Sequence, residues 1–179
     1  MGRGDVVIHG IGKMDVIRVI YILGCGRSGS TALDMLLGTD SQILSTVELF
    51  RLTTRGWTNN DYCSCHKRVR ECVFWSGVHQ EWRQRVGLDG IGRYVRLQEE
   101  FLRIRGWPKL LGKRWNRSAE FREYEWLSRA LYEAASAVSG KPVIVDSSKH
   151  PGQAMALAAM RGIDLRLIHL IRDARGLAW

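Results

Sequence analysis

Val16–Leu37 reads VIRVIYILGCGRSGSTALDMLL, and three kinds of chain follow one another in it. Val16–Leu23 is a β-branched run with a single charge, the pattern of a strand buried on both faces of a parallel sheet. Gly24–Ser30 (GCGRSGS) is glycine-rich, and Thr31–Leu37 (TALDMLL) continues as a helix. Glycines let backbone N–H groups turn inward, and the helix N-terminus behind them adds partial positive charge. The junction therefore predicts a cradle for an anion. Ser30 and Thr31 add hydroxyl donors.

The same alternation recurs further along. Val143–Asp146 predicts a second short buried strand, Pro151–Met160 a helix, and Leu165–Ile171 (LRLIHLI) a third strand ending at Arg172-Asp173. Pro151 suits a first helical turn and Gly162 a C-cap. Between the first and second strands the periodicity predicts helices over Val78–Val86, Arg93–Arg105 and Ala119–Ser139. Residues 56–78 read as irregular chain, and residues 1–15 as a leader or an extra edge strand. Strands alternating with helices imply βαβ units and a parallel sheet, whose ligands sit at the carboxyl ends of the strands.

Composition sets outer limits. The chain has 179 residues, 45% hydrophobic and 25% charged, enough for one domain with a real core. No run of 18 apolar residues exists, so no membrane span is expected, and without a secretory pattern a cytoplasmic location is the default. A net charge of +9 favours anionic partners. Nucleic acid is not expected, because charge alone argues for it and no nucleic-acid motif accompanies the charge.

The loop has the Gly24 to Gly29 spacing and the terminal Thr31 of the G-x-x-x-x-G-K-[ST] phosphate loop, but Ser30 stands where the lysine belongs. That lysine serves the β- and γ-phosphates of a nucleoside triphosphate. Arg27 offers a forked donor instead, which suits a smaller anion. Arg172 stands at the carboxyl end of a buried strand, where it can grip a phosphate bidentately; pairing with Asp173 or Asp146 is the alternative. Cys63, Cys65, His66 and Cys72 are four potential metal ligands within ten residues, in a C-x-C-H spacing unlike the usual zinc pair. Free thiols and a metal site both remain open. Trp57, Trp75 and Trp107 read as core or cleft walls.

Ile22–Leu37 (ILGCGRSGSTALDMLL) resembles the 5′-phosphosulfate loop of sulfotransferases that use 3′-phosphoadenosine 5′-phosphosulfate (PAPS), and Leu165–Gly176 (LRLIHLIRDARG) resembles their 3′-phosphate segment. The resemblance spans about residues 17–179. It implies a P-loop-like three-layer α/β/α fold with a parallel sheet, and PAPS as co-substrate. Arg27, Ser28, Gly29, Ser30 and Thr31 would hold the 5′-phosphosulfate, and Arg172 the 3′-phosphate. The serine that accompanies this arginine in the family would fall just past Trp179, so the chain is expected to hold the N-terminal part of one domain from residue 16 onward. Glu48, 17 residues after Thr31, corresponds to the catalytic base of several branches, and Lys149 to a lysine that stabilises the leaving group. A surface ion pair of Glu48 with Arg51, and a solvated loop lysine at Lys149, are the plainer readings. His150 is a second candidate base. Sulfonyl groups carry less charge than phosphoryl groups, so no metal is required. Cys63–Trp75 resembles a cysteine-bearing insert of bacterial-type members.

The implied reaction moves a sulfonyl group to a hydroxyl or amine of a small molecule, glycan or peptide and releases adenosine 3′,5′-bisphosphate. Two rivals stand beside it. Val143–Asp146 (VIVD) has the form of the Mg²⁺-organising strand of a P-loop kinase, and a non-catalytic nucleotide-binding fragment would carry the same loops.

Overall fold

The computed structural model describes residues 16–103, 118–173 and 175. Its strands are β1 (Ile17–Gly24), β2 (Ile43–Ser45), β3 (Val143–Lys149) and β4 (Ile163–Leu170). Its helices are α1 (Ser30–Leu37), α2 (Val73–Val86), α3 (Gly90–Leu102), α4 (Ala119–Ser139) and α5 (Pro151–Ala159). All strand pairs are parallel, in the order β2-β3-β1-β4. Helices flank the sheet, as the three-layer α/β/α reading predicts.

The β-branched run that predicts β1 becomes a central strand: Val19, Tyr21 and Ile22 are fully buried. The crossovers β1-α1-β2 and β3-α5-β4 travel in opposite directions across the sheet. Right-handed connection therefore puts α1 and α5 on opposite faces. The point where direction reverses lies between β1 and β3, the position at which such sheets bind ligands.

Most of the core lies on the α5 side, where α3 packs on α4 and α5, and α2 packs on α4. Its centre is a run of touching rings: Trp57, Trp82, Tyr94, Tyr124, Phe101 and Phe121, with successive centroids 5.2–6.0 Å apart. Offset and tilted pairs at this spacing add to the stabilisation from burial itself. The Trp82 indole donates to the Leu127 carbonyl at 3.1 Å and the Tyr124 hydroxyl to Gln153 at 2.9 Å, whereas the Trp57 indole N–H is buried without a partner.

Several boundaries differ from the sequence reading. β2 is an additional edge strand, three residues between polar flanks, whose existence depends on pairing with Val143–Val145 of β3. Residues 56–78 are more ordered than expected. A π-helical stretch covers Leu52–Thr58, a 3₁₀ turn covers Val69–Glu71, and α2 begins at Val73. β3 runs on to Lys149, which places this residue at a strand end instead of in a loop. Pro151 does open α5, but Gly162 is not its cap. Met160, buried in the core, ends the helix in extended geometry, and Gly162 (φ 73°) turns the chain into β4. No helix among the described residues is long and apolar enough to cross a membrane. Residues 1–15 lie outside those residues.

Candidate functional site

The β1–α1 loop is shaped by close approach and by two left-handed residues. A Cβ on Gly24 would lie 2.8 Å from the Leu170 carbonyl of β4 and 3.0 Å from Ser28 Oγ, so only glycine lets the strands meet here. Arg27 (φ 62°) and Gly29 (φ 94°) then wind the chain into α1. For Arg27 this conformation costs about 1–2 kcal/mol, and such strain gathers at ligand sites. Ser28 and Ser30 are buried, whereas Arg27, Gly29 and Thr31 face solvent. The Ser28 hydroxyl is buried without a hydrogen-bond partner. The N-cap of α1 is Gly29, so no side chain covers the helix N-terminus. Its first amides lack intrahelical partners and carry the positive end of the dipole.

Arg172, at the exit of β4, reaches back to this loop and donates from Nη1 to the Arg27 carbonyl at 2.9 Å. Neither aspartate competes for it. Asp173 pairs with Arg175 at 2.8 Å, and Asp146 is buried elsewhere. The two arginines assigned to phosphate groups therefore share one corner of the sheet.

Glu48 and Lys149, 101 residues apart, form an ion pair at 2.7 Å. The Lys149 ammonium also donates to the Ser147 carbonyl at 3.1 Å, and Arg51 Nε lies 3.0 Å from the other Glu48 oxygen. The pair is held by its backbones. The Thr46 amide and hydroxyl donate to the Val145 carbonyl, and the Ser147 amide and hydroxyl donate to the Val47 carbonyl at 2.6 and 2.9 Å. Residues 46 and 47 thus continue β2 along the edge of β3 and lead into Glu48. The Phe50 amide extends the attachment by donating to Ser148 Oγ at 3.0 Å. Val47 and Lys149 both take left-handed backbone angles, at φ 58° and 65°. In register, Lys149 stands beside Leu23, and Gly24 beside Leu170. Both residue pairs therefore occupy the same carboxyl edge.

Two buried carboxylates support this edge. Asp34, on α1, accepts from the Ser45 hydroxyl and from the Val47 amide at 3.4 Å. Burial holds its pKa above the ordinary range, partly offset by the hydrogen bond from Ser45. Asp146 is fully buried and accepts from the Tyr132 hydroxyl at 2.7 Å and from the amide and hydroxyl of Ser148. Burial pushes its pKa up to about 6. His150 stacks on Phe50 at 5.1 Å with Nδ1 buried and unpartnered, and burial lowers its pKa.

A cavity of about 710 Å³ opens beside Glu48. Glu48, Arg51 and Leu52 line it, as do Phe74, Trp75 and the three clustered cysteines. Trp75 is thus a cleft wall, Trp57 is core and stacks on His79 at 4.6 Å, and Trp107 lies outside the described residues. Sequence reasoning missed Asp34 and Ser45 as supports of this edge. A lone aspartate in the apolar stretch TALDMLL is the one visible signal for them. No protein-family model, curated protein or solved structure matches this chain.

Proposed function

We propose that the protein transfers a sulfonyl group from PAPS to a hydroxyl or amine acceptor. The observation that carries this reading is the Glu48–Lys149 ion pair, held at the sheet edge that also bears the uncapped α1 terminus and the Arg27–Arg172 contact. The edge offers what the transfer needs. The orphaned Ser28 hydroxyl and the first amides of α1 fit a compact dianionic head group such as the 5′-phosphosulfate. Arg172 serves a second, separate phosphate. Glu48 faces the cleft where an acceptor would lie.

In the proposed reaction Glu48 takes the acceptor proton, and the acceptor oxygen or nitrogen forms a bond to sulfur. The bond from sulfur to the bridging oxygen breaks, and adenosine 3′,5′-bisphosphate leaves with the electron pair. Lys149 exchanges Glu48 for that bridging oxygen and stabilises its growing charge.

Two features weigh against a kinase. Ser30 replaces the phosphate-loop lysine, and both Asp146 oxygens are engaged inside the core by Tyr132 and Ser148. The test is calorimetric titration with adenosine 3′,5′-bisphosphate and, separately, with ATP and Mg²⁺. The expected result is a dissociation constant on the order of micromolar for the bisphosphate alone, weakened at least about tenfold by Arg27→Ala, the loss expected for a charge-assisted hydrogen bond. Binding of ATP with Mg²⁺ in preference to the bisphosphate would overturn the reading.

A further inference from the structure

Outside the phosphate edge, one group of side chains has chemistry that the transfer reaction does not use. The Sγ atoms of Cys63, Cys65 and Cys72 all lie within 4.8 Å of one another. They are gathered by backbone hydrogen bonds. The Cys63 amide donates to the Lys67 carbonyl at 2.8 Å, and the His66 amide donates back to the Cys63 carbonyl at 2.9 Å. His66 closes this tight turn with a left-handed φ of 64°. A bridge between Tyr62 and Arg68 fastens its base, and the 3₁₀ turn Val69–Glu71 delivers Cys72 to the N-cap of α2.

We propose that Cys63, Cys65 and Cys72 bind one Zn²⁺ ion through three thiolates, with the fourth position open to the cleft that Glu48 lines. Zn–S bonds of about 2.3 Å in a tetrahedron put the sulfurs roughly 3.8 Å apart, so a small inward movement of the three side chains completes the set. Soft sulfur donors select zinc over the hard cations. A disulfide would use two sulfurs and strand the third, whereas one ion uses all three. Each thiol gives up a proton to solvent as its Zn–S bond forms. His66 nitrogens lie outside the cluster, and all three cysteines line the cleft, so solvent supplies the fourth ligand. The ion ties the 61–68 turn to the start of α2 and makes a rigid wall facing Glu48. This site does not depend on the sulfonyl-transfer reading, and its test needs no turnover.

The experiment strips the reduced chain with a chelator and titrates it with Co²⁺, then displaces the Co²⁺ with Zn²⁺. One equivalent per chain, with a thiolate-to-cobalt charge-transfer band and tetrahedral ligand-field bands, is the expected result. A thiol reagent should count all four cysteines in the stripped chain and only Cys25 in the zinc form. Cys65 is exposed, so Cys65→Ser should keep the far-ultraviolet circular dichroism. It should weaken Co²⁺ binding beyond the roughly 10–100-fold that loss of an outer-shell partner costs. Cys25→Ser should bind as the wild type does. Absence of the charge-transfer band, four reactive thiols in the presence of Zn²⁺, or unchanged Co²⁺ affinity in Cys65→Ser would each overturn the proposal. So would a disulfide among the three in the metal-free protein that persists as its resting form.

Discussion

The Glu48 carboxylate is held between Arg51 and Lys149, with its neighbours Thr46 and Val47 bonded to β3 and the cleft beside it. Glu48→Gln keeps the shape and removes the proton acceptor. On the proposed reaction it should lower kcat by about 10²–10⁴ and leave the bisphosphate dissociation constant within about twofold; initial rates and calorimetry check the two separately. Asp146 makes a different kind of prediction. Its pKa stands at about 6 in the folded chain against an ordinary 3.8, chiefly because burial disfavours the charge. The native state therefore holds this proton more tightly than the unfolded state. The stability it contributes is complete below pH ~4 and is lost as pH rises through about 6, a fall of about 3 kcal/mol. Asp146→Asn should remove that part of the pH slope, read as the difference between the two proteins in urea unfolding at about pH 4 and pH 7. His79 and His150 titrate in both proteins and drop out of the difference, whereas the charge repulsion between Asp34 and Asp146 disappears with the Asp146 carboxylate and is counted in it.

At the scale of elements, α4 shows how much a helix end contributes. Ser118 is its N-cap, and the side-chain oxygen accepts from the Phe121 amide at 3.2 Å. The helix carries Phe121, Tyr124, Leu127, Leu131 and Tyr132 into the core, so fraying of its first turn is felt by the ring stack. Ser118→Ala should cost about 1 kcal/mol and lower Tm by about 2–4 °C, measurable by calorimetry. Long elements such as α4 were legible because 21 residues repeat one apolar face. Ile43–Ser45 was not. Three residues carry no periodicity, and their state depends on a partner strand about a hundred residues away. The extension of β3 through Lys149 was hidden for a related reason, since Ser147 and Ser148 look like loop residues until Val47 and Phe50 provide partners.

The whole molecule is strongly basic, at +9, and its two arginines at the sheet corner sit in that field. Surface electrostatics of this kind are screened by salt, with a Debye length of about 10 Å at 0.1 M. Bisphosphate affinity should fall steadily as sodium chloride rises toward about 1 M, and the association rate should fall with it; stopped-flow binding at several salt concentrations measures both. A salt-independent affinity would show that shape, and not the field, holds the ligand.

Local pattern by itself determined the parallel sheet, the glycine-rich turn between β1 and α1 with Arg27 inside it, and the position of Arg172 just past the end of β4. Strand, turn and helix propensities act over a few residues and leave a readable trace. Only the folded chain decided that Glu48 meets Lys149, that Asp146 is consumed by Tyr132 and Ser148, and that three cysteines converge on one cleft. Those contacts join residues from separate elements. Their geometry comes from how the layers pack and how the edge of β3 is extended, and no short window of sequence contains that information.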